Sequence, residues 1–155
     1  PSEAFLDIPS LRQRIVAIRG QGAWRNQKRL TPQSRVAAGS SCVSLCSRSI
    51  RVLRKRPDQS FPGKIRLLGV ASLNLVSVAL GQTAGALEAT PKIWDLAAAW
   101  LVLTELDCPL IWLGPHPAHL EPGRDLSEMG FPVVAASSQK QLERLAPWGE
   151  SLLKS

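Results

Sequence analysis

Apolar residues along this chain fall into a weakly ordered lead-in and, from Lys64 onward, a more regular alternation of short strands and helices. In the lead-in, residues 12 to 19 have a β-branched centre at Ile15-Val16 and partial alternation, and Gly20-Gln21-Gly22 breaks the run, which predicts a strand entering a turn. Residues 36 to 46 predict a second strand, and residues 47 to 56 a basic amphipathic helix stopped by Pro57. Residues 57 to 63, rich in Pro, Gly, Asp and Ser, read as a connection. Beyond it the pattern predicts a strand over 65 to 68, a helix over 70 to 80 with Gly81 as its stop, and a strand over 83 to 89. Pro91 ends that strand, and Asp95 is placed to cap a buried helix over 96 to 106. A strand over 110 to 113, a proline-rich loop over 114 to 130, a strand over 132 to 136 and a helix over 139 to 145 complete the series.

Strands alternating with helices of this length predict a layered α/β sandwich. Two strands and two helices between 65 and 106 do not close a sheet, so both helices and the apolar strand faces need covering elements beyond that core. The expectation is a single partial domain over 1 to 155, with 1 to 63 as a strand-rich lead-in and 64 to 155 as the α/β layer. The opening Pro-Ser-Glu-Ala-Phe-Leu-Asp has neither an initiating Met nor a signal pattern, and reads as though cut from something longer.

Composition adds limits. A hydrophobic content of 45% over 155 residues supports a real core. The net charge of +7 is unevenly spread: Arg48, Arg51, Arg54, Lys55 and Arg56 hold much of the excess, and residues 69 to 113 carry more acid than base. That basic run lacks the interleaved aromatics that base stacking uses, so nucleic acid is an unlikely partner and a solvated helix face the plainer reading. Cys42, Cys46 and Cys108 form no CxxC pair, which argues against a disulfide framework or zinc site and for a reducing, cytoplasmic setting. Cys42 and Cys46 are expected to be buried. No uncharged run is long enough to span a bilayer.

The chemistry centres on Asp95. A carboxylate at a helix start, just after a strand ending in Glu88, is a place to hold a hard cation beside a polar ligand, and magnesium binds through one or two carboxylates together with substrate phosphate. Two-metal phosphate-ester hydrolysis needs more carboxylates than this. The plain alternative for Asp95 is a helix cap, worth about 1 kcal/mol. Gly69 suits a tight strand-to-helix turn whose backbone N–H groups favour a phosphate or hydroxyl. His116 and His119 read as a solvated loop, and Trp94 and Trp100 as packing residues.

The run from Arg66 through Gly69-Val70-Ala71-Ser72-Leu73-Asn74, then Gly81, Gly85 and Glu88, then Trp94-Asp95-Leu96-Ala97-Ala98 and Thr104-Glu105, resembles the C-terminal half of the inositol monophosphatase family. Ala17 to Asn26 is similar to the strand and glycine turn that precede that half. The resemblance implies a magnesium-dependent phosphomonoesterase acting on inositol phosphate or a related phosphorylated alcohol, with Asp95 as a metal ligand. It assigns Gly69, Val70, Ala71 and Glu88 to substrate contacts, and Arg66 to a dimer contact. The family's Glu pair and Asp-Pro-x-Asp-Gly-Thr motif are absent, Val70 replaces a small hydroxyl residue, and Leu106-Asp107-Cys108 stands where a small residue and two glycines are typical. The expected partners are therefore a second copy of the chain or a missing N-terminal half. The alternative is a noncatalytic remnant or interaction module.

Overall fold

The computed structural model describes residues 1–32, 41–121 and 123–153. Its first part is a four-stranded antiparallel meander, β1 (Glu3–Ile8), β2 (Gln13–Ile18), β3 (Gly22–Arg25) and β4 (Lys28–Arg29), paired in sequence order. Only β2 is anticipated by the sequence pattern. The β3–β4 hairpin turns through Asn26 and Gln27, both at positive φ (48° and 68°), the backbone form whose twist matches antiparallel strands. Asn26 fixes the turn with its own amide: Oδ1 accepts from Arg14 N–H at 2.8 Å and Nδ2 donates to the Arg12 carbonyl at 3.0 Å.

The second sheet runs in the order β6 (Lys64–Arg66), β5 (Cys42–Leu45), β7 (Gly85–Glu88), β9 (Val133–Ala136), β8 (Leu110–Trp112). Strands β6, β5 and β7 are mutually parallel, while β9 and β8 join antiparallel. The crossovers are helices α2 (Ala71–Ala79) and α3 (Ile93–Glu105); a short α1 (Val52–Lys55) and α4 (Gln139–Glu150) complete the described helices.

Alternation along the strands sorts the core into two parts. Ala4, Ile15, Ala17 and Ala23 from the meander meet α2 and α3, whose far side meets Ala86, Val133 and Ala135 of the second sheet. The opposite face of that sheet, with Val43, Leu45, Leu87, Val134 and Ala136, is covered by Leu142, Leu145 and Trp148 of α4 and by Val52. Sheet, helices, sheet and helices thus stack in turn, the layered α/β arrangement expected. Gly85 has a packing role, since a Cβ there would run into Leu145 of α4.

Several boundaries differ from the sequence pattern. Part of the strand predicted over 36 to 46 lies outside the described residues, and its observed portion is β5. The predicted basic helix over 47 to 56 is a 3-10 turn, Ser49–Arg51, running into the single turn of α1. Leu67 and Leu68 do not extend β6 and are exposed, because at this sheet edge they have no facing layer. Helix α4 continues past Pro147, since Trp148 and Leu152 on its far side are buried in the core. Trp94 is 63% exposed rather than packed. His116 packs edge-on against Trp100 and Trp112 (centroids 5.9 and 5.5 Å) instead of lying free in a solvated loop. Cys42 and Cys46 are half-buried, and Cys108 is buried.

Candidate functional site

Because β5, β6 and β7 are parallel, their carboxyl ends open on one side, the position at which open α/β sheets bind ligands. Cys46 to Arg48 leave β5 there, Leu67 to Val70 leave β6, and Ala89 to Pro91 leave β7. The three exits enclose a pocket of about 430 Å³ lined by Arg48, Gly69, Val70, Asn74, Glu88 and Asp95 among others, a size suited to a small ligand. A larger concavity of about 630 Å³ lies on the outer face of the meander around Val16, Ile18 and Trp24. Its acid, Asp7, is already paired with Arg14 at 2.9 Å, so it offers little uncommitted chemistry.

Gly69 adopts φ +81°, a left-handed turn that lets the chain leave β6 and start α2 at once. Val70 is the N-cap and has no side-chain capping bond; the first helical bond runs from Asn74 N–H to the Val70 carbonyl at 2.9 Å. The helix therefore begins at Ala71, one residue later than the pattern predicts. The N–H groups of its first turn lack helical acceptors, and they lie at the pocket wall where a negative oxygen is favoured.

Glu88 ends β7 and is buried, with 2% of its surface exposed. Asn74, one helical turn into α2, donates Nδ2–H to Glu88 Oε1 at 2.6 Å. Burial raises the carboxyl above its ordinary range. Hydrogen bonds from Asn74 and the Cys46 thiol oppose that rise, and the nearby charge of Asp95 adds to it.

Asp95 is not the N-cap of α3. Lys92 is, with its backbone extended, and Asp95 is the third helical residue, its Oδ2 accepting the Lys92 N–H at 2.9 Å. The helix therefore starts at Ile93, three residues earlier than the pattern predicts, because Asp95 accepts the N–H of Lys92 from within the first turn; Lys92 Nζ separately donates to the Ser127 carbonyl at 2.6 Å. The half-buried carboxylate faces the pocket while closing the helix start, so its structural and chemical roles coexist.

The structure thus brings Gly69, Val70, Ala71, Glu88 and Asp95 to one pocket. It adds Asn74, Cys46, Arg48 and Thr90, which the sequence reading does not single out. Arg48 reads in sequence as one more cation of a basic run; only the β5–β7 pairing shows that it faces Thr90, donating from Nη1 to Oγ1 at 2.6 Å. Other members of the run are spent structurally. Arg51 and Arg56 donate to the carbonyls of Leu152 and Pro147 near the end of α4, and Arg56 also lies over Trp148 at 5.4 Å. His119 lies against His116, with centroids 5.0 Å apart, and His116 meets Trp100 and Trp112 edge-on; neither histidine lines this pocket.

As a metal site the donor set fits in kind and falls short in number. Asp95 is a hard oxygen donor, suited to magnesium, but no cluster of three or more His, Cys, Asp or Glu occurs among the described residues.

A layered α/β fold with a polar crevice at the carboxyl ends of its parallel strands, a helix start and two carboxylates defines a class of ligand-binding and enzyme folds. Within it, a sequence model of the inositol monophosphatase family matches residues 3–148, and the chain belongs to that family. It is 29% identical over 112 residues to a protein named putative Nus factor SuhB from Neisseria meningitidis, covering 66% of this chain and 42% of that protein. Among solved structures, inositol monophosphatase II from Staphylococcus aureus aligns with a TM-score of 0.71 at 19% identity, over 100% of this chain and 60% of that one. An IMPase/NADP phosphatase complexed with Mg²⁺ and phosphate aligns at 0.65 and 22%, over 94% and 54%. The same kind of enzyme complexed with NADP and Ca²⁺ aligns at 0.67 and 22%, over 94% and 55%. The chain therefore spans about half the length of the proteins it matches.

Proposed function

We propose that this chain carries the substrate-binding part, and one metal-ligand position, of a magnesium-dependent phosphomonoesterase acting on inositol phosphate or a similar phosphorylated alcohol. The observation that supports it is the convergence of Glu88, Asp95 and the Gly69–Ala71 turn on one crevice in a chain of this family.

In this reading the N–H groups at the start of α2 receive a phosphoryl oxygen, as helix starts do. Glu88, when ionised, accepts a hydroxyl of the alcohol, and Asn74 fixes the direction in which the carboxylate points. Asp95 would be one ligand of a magnesium ion, which when bound would supply charge stabilisation to the reaction. Overall, water oxygen bonds to phosphorus, the bond from phosphorus to the alcohol oxygen breaks, and that oxygen leaves with a proton. The further ligands come from outside the described residues, through an N-terminal half or a second copy. Three cysteines without a CxxC pair support a reducing, cytoplasmic setting.

A second reading, a noncatalytic interaction module, is favoured by the exposed apolar surface around the pocket mouth, where Val70 is 53% and Trp94 63% exposed. Two measurements separate the readings. The isolated chain with magnesium should release no phosphate from inositol 1-phosphate above a blank, yet that ligand with magnesium should shift the amide resonances of Gly69, Val70, Ala71 and Glu88. Absence of any shift there rejects the phosphatase reading; robust turnover that disappears in Asp95→Asn rejects the incompleteness of the site.

A further inference from the structure

We propose that His116 and His119 form a separate metal position, a two-histidine site for a borderline divalent transition ion such as zinc or nickel, on the loop that follows β8. It goes beyond the phosphatase reading and does not depend on it.

Pro115 and Pro117 bracket His116, and each restricts the backbone beside it. Pro117 opens a 3-10 turn, Pro117–His119, of which His116 is the N-cap. In a 3-10 turn side chains three residues apart eclipse, so His116 and His119 leave the chain on the same side. Their ring centroids are 5.0 Å apart, with the planes 30° from parallel. Two imidazoles bound to one ion through nitrogens at about 2.0–2.1 Å, at a tetrahedral or octahedral angle, hold their ring centres roughly 4.5–5.2 Å apart. The observed separation falls in that interval.

His116 is also held by its neighbours. It meets Trp100 of α3 and Trp112 of β8 edge-on at 5.9 and 5.5 Å, and those two indoles meet each other at 5.6 Å. A donor already seated loses little freedom on binding, and the exposed His119 supplies the adjustable partner. Without an ion, His116 Nδ1 accepts the Ala118 N–H at 3.1 Å. An ion takes one ring nitrogen and leaves the proton on the other, so Ala118 must turn its N–H to water. Ala118 is exposed, and that exchange costs little.

The donor type selects the ion. Neutral imidazole suits zinc, nickel and copper, whereas magnesium takes hard oxygen donors. The histidines do not line the crevice that holds Asp95, so the two positions differ both in place and in the ions they favour. No group of three or more His, Cys, Asp or Glu occurs among the described residues, and with two protein donors the remaining coordination positions fall to water. That makes the position an open, exchangeable one rather than a closed structural site.

The test is titration of the ¹⁵N-labelled 155-residue chain with nickel(II), which broadens resonances near it, following the five indole N–H signals and the Ala118 amide. Trp100, Trp112 and Ala118 should broaden first, while Trp24 on the meander and Trp148 on α4 stay sharp. Excess magnesium should leave the titration unchanged, and zinc should reverse it. His119→Ala should weaken nickel binding by about tenfold, because the second donor of a chelate binds intramolecularly. His116→Phe, which keeps a ring beside the tryptophans and removes the donor, should do the same. His119 is exposed, so its variant tests the site even where His116→Phe unsettles the loop. Absence of broadening at Trp100 and Trp112, or nickel affinity in His119→Ala equal to that of the wild type, overturns the two-histidine site. Broadening that begins at Trp94 and is reversed by magnesium also overturns it, placing the ion at Asp95 and leaving the phosphatase reading intact.

Discussion

Glu88 combines burial with an ionisable group, and that combination has a sign. Its folded carboxyl is raised, first by burial, so between the ordinary carboxylate value and the raised one the folded state holds a proton that the unfolded chain has released. Its contribution to stability is therefore present at low pH, is lost as pH rises through that window, and stays lost above it. Glu88→Gln, which keeps the shape and lacks the charge, should remove this slope. Urea melts of wild type and variant should converge in acid and separate at neutral pH with the variant the more stable; parallel curves would mean that Glu88 is not carried as a buried acid. Asp95 behaves differently because it closes a helix. Asp95→Asn retains an acceptor for the Lys92 N–H but loses the negative charge at the helix start, so it should cost no more than about 1 kcal/mol. It should nevertheless abolish magnesium-induced shifts at Ile93 and Asp95. A larger loss of stability would make the cap its dominant role. Gly69→Ala places a Cβ in open space but at φ +81°, so the expected loss of about 1 to 2 kcal/mol is conformational alone.

At the scale of elements, legibility followed how much of each element's stability is local. Strand β2 and helices α2 and α3 carry their own signals: a β-branched run, a glycine stop with Gly81 at φ +71°, and Pro91 ahead of a buried Ala/Leu/Trp helix. Strand β1 alternates Ala4, Leu6 and Ile8 inward, but Phe5 between two acids blurs the period. The two-residue β4 depends on non-local contacts: Asn26 is gripped by Arg12 and Arg14 at the start of β2, and Arg29 donates to the Gln21 carbonyl and lies over Trp24. The end of α4 was hidden for a comparable reason, as Pro147 signals a stop that burial of Trp148 overrides. Among residues lining the candidate pocket, Asp95, Glu88 and Gly69 were legible because a local motif carries them. Arg48, Cys46 and Asn74 join that pocket only through strand order and helix packing. Glu105 shows how far such contacts reach: its two carboxylate oxygens accept the Gly20 and Gly22 N–H groups at 2.8 and 2.9 Å, tying α3 to the β2–β3 turn. Glu105→Ala should leave both donors without this partner and lower stability by about 1 to 3 kcal/mol in chemical denaturation. A change within a few tenths would show that water substitutes for the carboxylate.

For the whole molecule, the stack ends unevenly. The second sheet has helices on both faces, whereas the outer face of the meander carries Phe5 at 65% exposure together with half-buried Val16, Ile18 and Trp24. Strand β1 is also an edge, so its outward-facing backbone groups are open to another strand. Beside it, a groove of about 540 Å³ bounded by Phe5, Leu68, Val70 and Trp94 runs to Asp95. Apolar surface of this kind on an isolated chain promotes association. Because the surface adjoins the pocket, association and ligand binding should compete if the chain pairs through the groove, and should be independent if it pairs through the outer face around Trp24. Light scattering of the 155-residue chain should show concentration-dependent association at neutral pH. Phe5→Lys should reduce it, since the side chain lies at the junction of both surfaces and is too exposed to be needed for folding. Adding Trp94→Lys assigns the contact. A further drop places it in the groove, where the pocket mouth is covered, and no further drop places it on the outer face, leaving the mouth open to ligand.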